Sequence, residues 1–271
     1  MTVGLDLISD IDQFTPARDE LGIWWLGQHS FVLKIANKII YLDPFLSDIE
    51  GRLVPPLLEA SRIHHADIIC GSHDHADHID RPVWPTMAIA SPRAKFVVPE
   101  VLRAELARDL RMAADRFVGL DSGQTIEVDS IRITAIAAAH ELLNADPASG
   151  RYPCLGFIIQ AGPWTIYHAG DTCIYEGMIT MLRRWKHDVM FLPINGRDAK
   201  RYASGIVGNM TYQEAGDLAG ILQPQWAIPA HYEMFAANSV DPREFVEYCQ
   251  SRYPAIKTLV CSHGERLVLR K

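Results

Sequence analysis

With 271 residues, 48% of them hydrophobic, the chain is long enough to bury a large core, as one large domain or as two fused halves. Its 26 Lys and Arg against 33 Asp and Glu leave a net charge of −7, which argues against nucleic acid as the main partner, because phosphate neutralisation dominates that affinity; a small-molecule substrate is expected. The five cysteines, Cys70, Cys154, Cys173, Cys249 and Cys261, are odd in number and never spaced C-x-x-C, so they read as small buried residues and not as a disulfide framework.

The opening "MTVGLDLISDIDQF" lacks a basic start and a sustained apolar run, so neither a signal peptide nor a membrane anchor is expected, and a cytoplasmic protein is. Strands are predicted at 22–28, 30–36 and 38–43, the last two joined by a tight turn at Asn37. Further apolar strands are predicted at 66–70 and 95–99. A helix follows between 99 and 115, where Leu102, Leu106 and Leu110 recur every fourth residue.

The second half repeats the pattern, with strands at 125–129, 131–138, 155–161 and 164–170, then Ile174, Met178, Met181 and Leu182 as one helix face. Buried strands at 188–194 and 226–231 flank a helix announced by the capping-box pair Thr211 and Glu214 and stopped near Pro224. Asp241 and Pro242 suit the start of a last helix, before terminal strands "TLVCS" and "RLVLR". Two β-rich halves with helices outside predict a four-layer αββα sandwich, an α/β fold spanning 1–271 as a single unit with one shared core.

The chemistry is concentrated in "GSHDHADHID", residues 71–80, directly after an apolar strand. His73 and His75, two apart, project to one side and can reach one cation. Asp77 and His78 fall on the following turn and address a neighbouring point, so one turn can serve two metals. Such titratable groups packed together would repel or stay unsatisfied without a cation. Three later strand ends carry further ligand types: His140, Asp171 and His231. His73, His75 and His140 are assigned to a first metal, Asp77, His78 and His231 to a second, and Asp171 to a bridge; Zn²⁺ or Mn²⁺ suits these donors, up to two ions per chain.

"HDHADH", the later His140, "GDT" and "PAHY" resemble the metallo-β-lactamase fold hydrolases, whose H-x-H-x-D-H plus His, Asp and His pattern is matched at every position. More narrowly, "WWLGQHSFVLKIANKIIYLDPFLSD" and "NGRDAKRYASGIVGNMTYQEA" resemble the L-ascorbate-6-phosphate lactonase (UlaG-like) branch. The resemblance implies a metal-dependent lactonase opening a small phosphorylated sugar lactone. Two metals would polarise the carbonyl and lower the pKa of a bridging water, so that hydroxide attacks at neutral pH while Asp77 or Asp171 shuttles the proton. Hydrolysis of a small cyclic or lipid phosphodiester is the competing reaction, and a non-catalytic binding protein on this fold is a third reading, against which all seven ligands are intact.

Asp43 in "LDPF" is either a turn residue before Pro44 or, as the resemblance implies, a carboxylate beneath the metal loop. His168, three residues before Asp171, is expected to orient a ligand or pack beneath the site. His29 sits at a strand junction and has either a pocket role or a structural one. His64, His65 and His187 read as surface residues and His263 as a turn residue. The loop 195–210 carries Asn195, Arg197, Lys200 and Arg201 among glycines. It is either a solvated charged face or the anchor for a substrate phosphate or carboxylate. A homo-oligomer is compatible with these features.

Overall fold

A computed structural model describes residues 1–271. In chain order it contains helix α1 (Gly4–Gln13), strands β1 (Glu20–Gly27), β2 (Ser30–Ile35), β3 (Lys38–Leu42) and β4 (Ile68–Cys70), then α2 (Trp84–Ala90), β5 (Lys95–Pro99), α3 (Glu100–Asp109) and β6 (Phe117–Leu120). The second half adds β7 (Thr125–Val128), β8 (Ile131–Ala137), β9 (Leu155–Ala161), β10 (Trp164–His168), α4 (Met178–Leu182), β11 (Val189–Pro193), α5 (Ala199–Ala203), α6 (Tyr212–Leu222), β12 (Trp226–Ala230), α7 (Pro242–Arg252), β13 (Lys257–Thr258) and β14 (Arg266–Arg270). Two seven-stranded mixed sheets result, ordered β14-β1-β2-β3-β4-β5-β6 and β13-β12-β11-β10-β9-β8-β7.

The four layers follow from alternation along each strand. In β1, Leu21, Ile23 and Trp25 enter the core between the sheets, while Trp24 and Leu26 enter a second cluster on the outer face. In β2 and β3, Phe31, Leu33, Ile40 and Leu42 point inward, and Val32, Ile39 and Tyr41 point outward. Both faces of these strands are covered, so they read as continuous apolar runs and not as an alternation. Phe31 meets Phe191 of the opposite sheet at 4.2 Å between ring centroids. Leu7, Ile8 and Ile11 of α1, Trp84 and Met87 of α2 and Leu106 of α3 close the outer cluster.

Most predicted elements are present, and the differences have local causes. α1 escapes a reading by composition because Leu7, Ile8 and Ile11 are interleaved with acidic and polar residues. α2 was not anticipated; Pro85 stands in its first turn, where its missing N–H is harmless. β6 is a four-residue strand containing Gly119, too short to announce itself. α3 stops at Asp109, short of the predicted 115. Of the segment predicted as "TLVCS", Thr258 alone pairs, with Lys257, against Trp226 and Ala227 of β12. The capping box is formed: Thr211 Oγ1 accepts from the Glu214 N–H at 3.2 Å and Glu214 Oε2 from the Thr211 N–H at 2.9 Å.

Candidate metal centre

Asp43 follows β3 in a left-handed conformation, φ 43°, and its fully buried carboxylate is the hub beneath the 71–80 turn. It accepts from the Ser72 N–H at 2.7 Å, Ser72 Oγ at 2.7 Å, His78 Nδ1 at 2.7 Å and His168 Nε2 at 2.9 Å. Burial alone would push this carboxyl up, but His168 and His78 outweigh it and hold it well below the usual carboxylate range. Asp43 and His168 thus lie together beneath the turn.

Two consequences reach the ligand atoms. With Nδ1 turned to Asp43, the neutral His78 ring presents its lone pair at Nε2, and that atom is buried with no hydrogen-bond partner. Ser72 Oγ, spending its proton on Asp43, accepts from His73 Nδ1 at 3.0 Å, which likewise turns the His73 Nε2 lone pair outward. Ser72 was not singled out in the sequence, since a serine before a histidine carries no distinctive signal.

The ligand types converge as two sets. His73 Nε2 lies 3.0 Å from His75 Nδ1, and His140 Nε2 lies 3.2 Å from the same atom. Asp77, His78 and His231 present one ligand atom each within 4.8 Å of one another. The Asp171 carboxylate touches both sets: Oδ2 is 3.0 Å from His231 Nε2 and 3.8 Å from His140 Nε2, and Oδ1 is 3.4 Å from His78 Nε2. His78 is pulled down by burial but raised overall by Asp171, Asp77 and Asp43. Asp171, raised by burial, is held well below its usual range by His231 and His78. His73 is pushed well down by burial and by the neighbouring His78. Buried lone pairs and carboxylates facing one another, with His78 Nε2 unpartnered, are a donor set that fits divalent cations. His75, Asp77 and His140 reach solvent while the other four are buried, so the centre opens on one side.

Backbone geometry places the later ligands. Gly170, φ 60°, precedes Asp171, and a Cβ there would lie 2.5 Å from the Leu155 carbonyl oxygen. His231 leaves β12 at φ 63°, its N–H donating to the Gln28 carbonyl at 2.9 Å. Gln28, absent from the sequence reading, buries its side chain with Nε2 2.8 Å from Asp77 Oδ2 and 3.3 Å from His231 Nε2.

The remaining expectations are redistributed. His29 is fully buried, 3.5 Å from Asp171 Oδ1 and 4.3 Å from the His168 ring, so it stands behind the Asp171 carboxylate. Burial, with the nearby His168, pushes His29 down to about 3. Asn195 is buried and bonded to Asn238 and Asn209. Arg197 forms a two-pronged pair with Glu214, both bonds at 2.7 Å, and reaches the Asn209 carbonyl. Arg201 donates to the Asn195 and Ser239 carbonyls. These three side chains are engaged in holding their loop. Lys200 is exposed beside a cavity of about 270 Å³ lined also by Asp198, Ser204 and Ala236. His187 is buried and His65 largely so, against the expected surface positions, and His263 stacks on Trp25 at 4.0 Å.

Two facing mixed sheets with a two-part His and Asp centre at their strand ends define a metal-dependent hydrolase of the metallo-β-lactamase fold. Residues 38–232 match the beta-lactamase superfamily domain, and the chain belongs to that family. A UPF0173 metal-dependent hydrolase of Saccharolobus solfataricus is 29% identical over 245 residues, covering 90% of this chain and 98% of the relative. One from Methanosarcina mazei is 28% identical, covering 92% and 99%. Among solved structures, Igni18, a metallo hydrolase from Ignicoccus hospitalis, shares the fold with TM-score 0.74 at 22% identity, covering 93% of this chain and 99% of that one. An isothiocyanate hydrolase from Delia radicum gut bacteria does so with TM-score 0.71 at 18% identity, covering 92% and 100%. No helix is long and apolar enough to cross a membrane.

Proposed function

We infer that the centre is dinuclear and opens a small lactone, in the manner of the ascorbate-phosphate lactonases that the segments 24–48 and 195–215 resemble. The observation that carries a two-ion reading is Asp171, whose carboxylate contacts ligand atoms of both sets. His73, His75 and His140 would hold one ion, Asp77, His78 and His231 the other, with Asp171 shared. When bound, Zn²⁺ or Mn²⁺ supplies Lewis acidity toward the substrate carbonyl and an acidified water as nucleophile. Asp43 holds His78 in the tautomer that presents Nε2, and His29 supports Asp171 from behind. Asp77, partly exposed and bonded by Gln28, would accept a proton and return it to the leaving alkoxide oxygen. Lys200 is the cation of the 195–210 loop with no ion-pair partner within 4.0 Å, and it suits a phosphate or carboxylate on the substrate; Arg197, neutralised by Glu214, suits it less. The five free cysteines support a cytoplasmic setting.

Purified protein assayed with Mn²⁺ and with Zn²⁺ against phosphorylated sugar lactones, their unphosphorylated analogues and small phosphodiesters tests this reading. Lactone opening is expected, with Lys200→Ala hurting the phosphorylated substrate more than its analogue by roughly tenfold. Brisk phosphodiester cleavage without lactone opening would overturn it.

A further inference from the structure

Gln28 follows Gly27 where the pairing of β1 with β2 shifts register between Trp25 and Gly27. Irregularities of this kind re-aim a side chain. The residue takes φ 52°, uncommon for a side chain with a Cβ, and is held there by two donors to its carbonyl: Trp25 Nε1 at 3.0 Å and the His231 N–H at 2.9 Å. The carboxamide is thereby fixed, fully buried, among the ligand atoms of the Asp77 half of the centre. Its Nε2 donates to Asp77 Oδ2, but its Oε1 is buried with no partner.

A half-turn of the carboxamide exchanges nitrogen and oxygen within the same volume. Beside a bare carboxylate the NH₂ group belongs next to Asp77, because Oε1 there would face another negative oxygen. Beside a cation the preference reverses, since an amide oxygen is a hard, neutral ligand and the NH₂ group would point its positive end at the ion. The two halves of the centre then differ in chemistry. The His73 half offers three imidazoles and the shared Asp171, a nitrogen-rich set that suits tetrahedral Zn²⁺. The other half offers two imidazoles, two carboxylates and an amide oxygen.

Resting on the dinuclear reading, the geometry points to Gln28 Oε1 as a further ligand of the Asp77, His78 and His231 half, raising its coordination number and biasing it toward Mn²⁺ over Zn²⁺. The test is metal binding without substrate: chelated protein is dialysed against defined Mn²⁺ and Zn²⁺, and bound ions are counted by elemental analysis, with the Mn²⁺ resonance spectrum as a second readout. Wild type should hold two ions. Gln28→Leu should lose about tenfold or more in Mn²⁺ affinity at one site while its Zn²⁺ affinity changes less than about threefold. Gln28→Glu, with an oxygen in either orientation, should keep Mn²⁺. An unchanged Mn²⁺ to Zn²⁺ ratio in Gln28→Leu, or a Mn²⁺ loss in Gln28→Glu equal to that in Gln28→Leu, would overturn the assignment. Wild-type protein that held no ion would instead sink the metal-centre reading on which it rests.

Discussion

Asp43 accepts four hydrogen bonds beneath the metal turn, and two of them set which nitrogen of His78 and His168 carries the proton. Asp43→Asn keeps the shape but replaces one acceptor oxygen with a donor and removes the charge. Metal affinity should fall about 10- to 100-fold, as is usual when an outer partner of a metal-binding histidine is lost, measured by competition with a chelating dye. His263 makes a separate prediction. Burial and the nearby Arg52 push it down to about 4, below the roughly 6.5 of an unfolded chain. The unfolded state therefore binds the proton first between those values, and stability contributed by neutral His263 is present above about pH 6.5 and lost as pH falls toward 4. His263→Gln should flatten the fall of melting temperature over that window relative to wild type; parallel curves would show that His263 does not titrate with folding. Its motif "SHGE" suggests an ordinary turn, and the stack on Trp25 is legible only once β14 lies beside β1.

At the level of elements, strand ends do the positioning. β4 ends at Cys70 and delivers the 71–80 turn, β10 ends at His168 just before Gly170 and Asp171, and β12 ends at Ala230 just before His231. Gly170→Ala would push a methyl to 2.5 Å from the Leu155 carbonyl and 3.0 Å from Ser72 Cβ, at a positive φ. A loss of about 1–3 kcal/mol in stability by denaturant titration is expected. Bound metal should fall with it, because Asp171 moves with the backbone and touches both ligand sets. The strands themselves were legible because their apolar runs are short and bounded by turn residues. α1 and α2 were not, since short helices on the outer face need only two or three buried side chains, among them Leu7, Ile11 and Trp84.

Across the whole molecule, the centre sits where loops from both sheets meet, so cation binding draws together the two halves of the sandwich. Removing metal with a chelator should lower the melting temperature, and restoring Mn²⁺ or Zn²⁺ should recover it, because an ion that binds the folded chain at a hundred times its dissociation constant contributes about 2.7 kcal/mol. Calorimetry of chelated and reloaded protein measures this; identical curves would contradict a folded-state metal site.

The sequence alone determined the sandwich and the candidate side chains for the centre, because apolar runs of strand length bounded by turn residues and the spacing of "HDHADH" are local properties that survive without coordinates. It could not decide which polar residues face outward. Asn195, Arg197 and Arg201 look like an anion site in a Gly-bearing loop, yet Glu214, Asn209, Asn238 and Ser239 take up their hydrogen bonds. Gln28 shows the converse: nothing in "LGQHSF" marks it, and only the pairing irregularity at the end of β1 and the approach of His231 aim its carboxamide at Asp77. These partners lie from 12 residues away in the chain, for Arg197 and Asn209, to 203, for Gln28 and His231, so the hydrogen bonding is a property of the assembled fold and not of immediate neighbours in the chain.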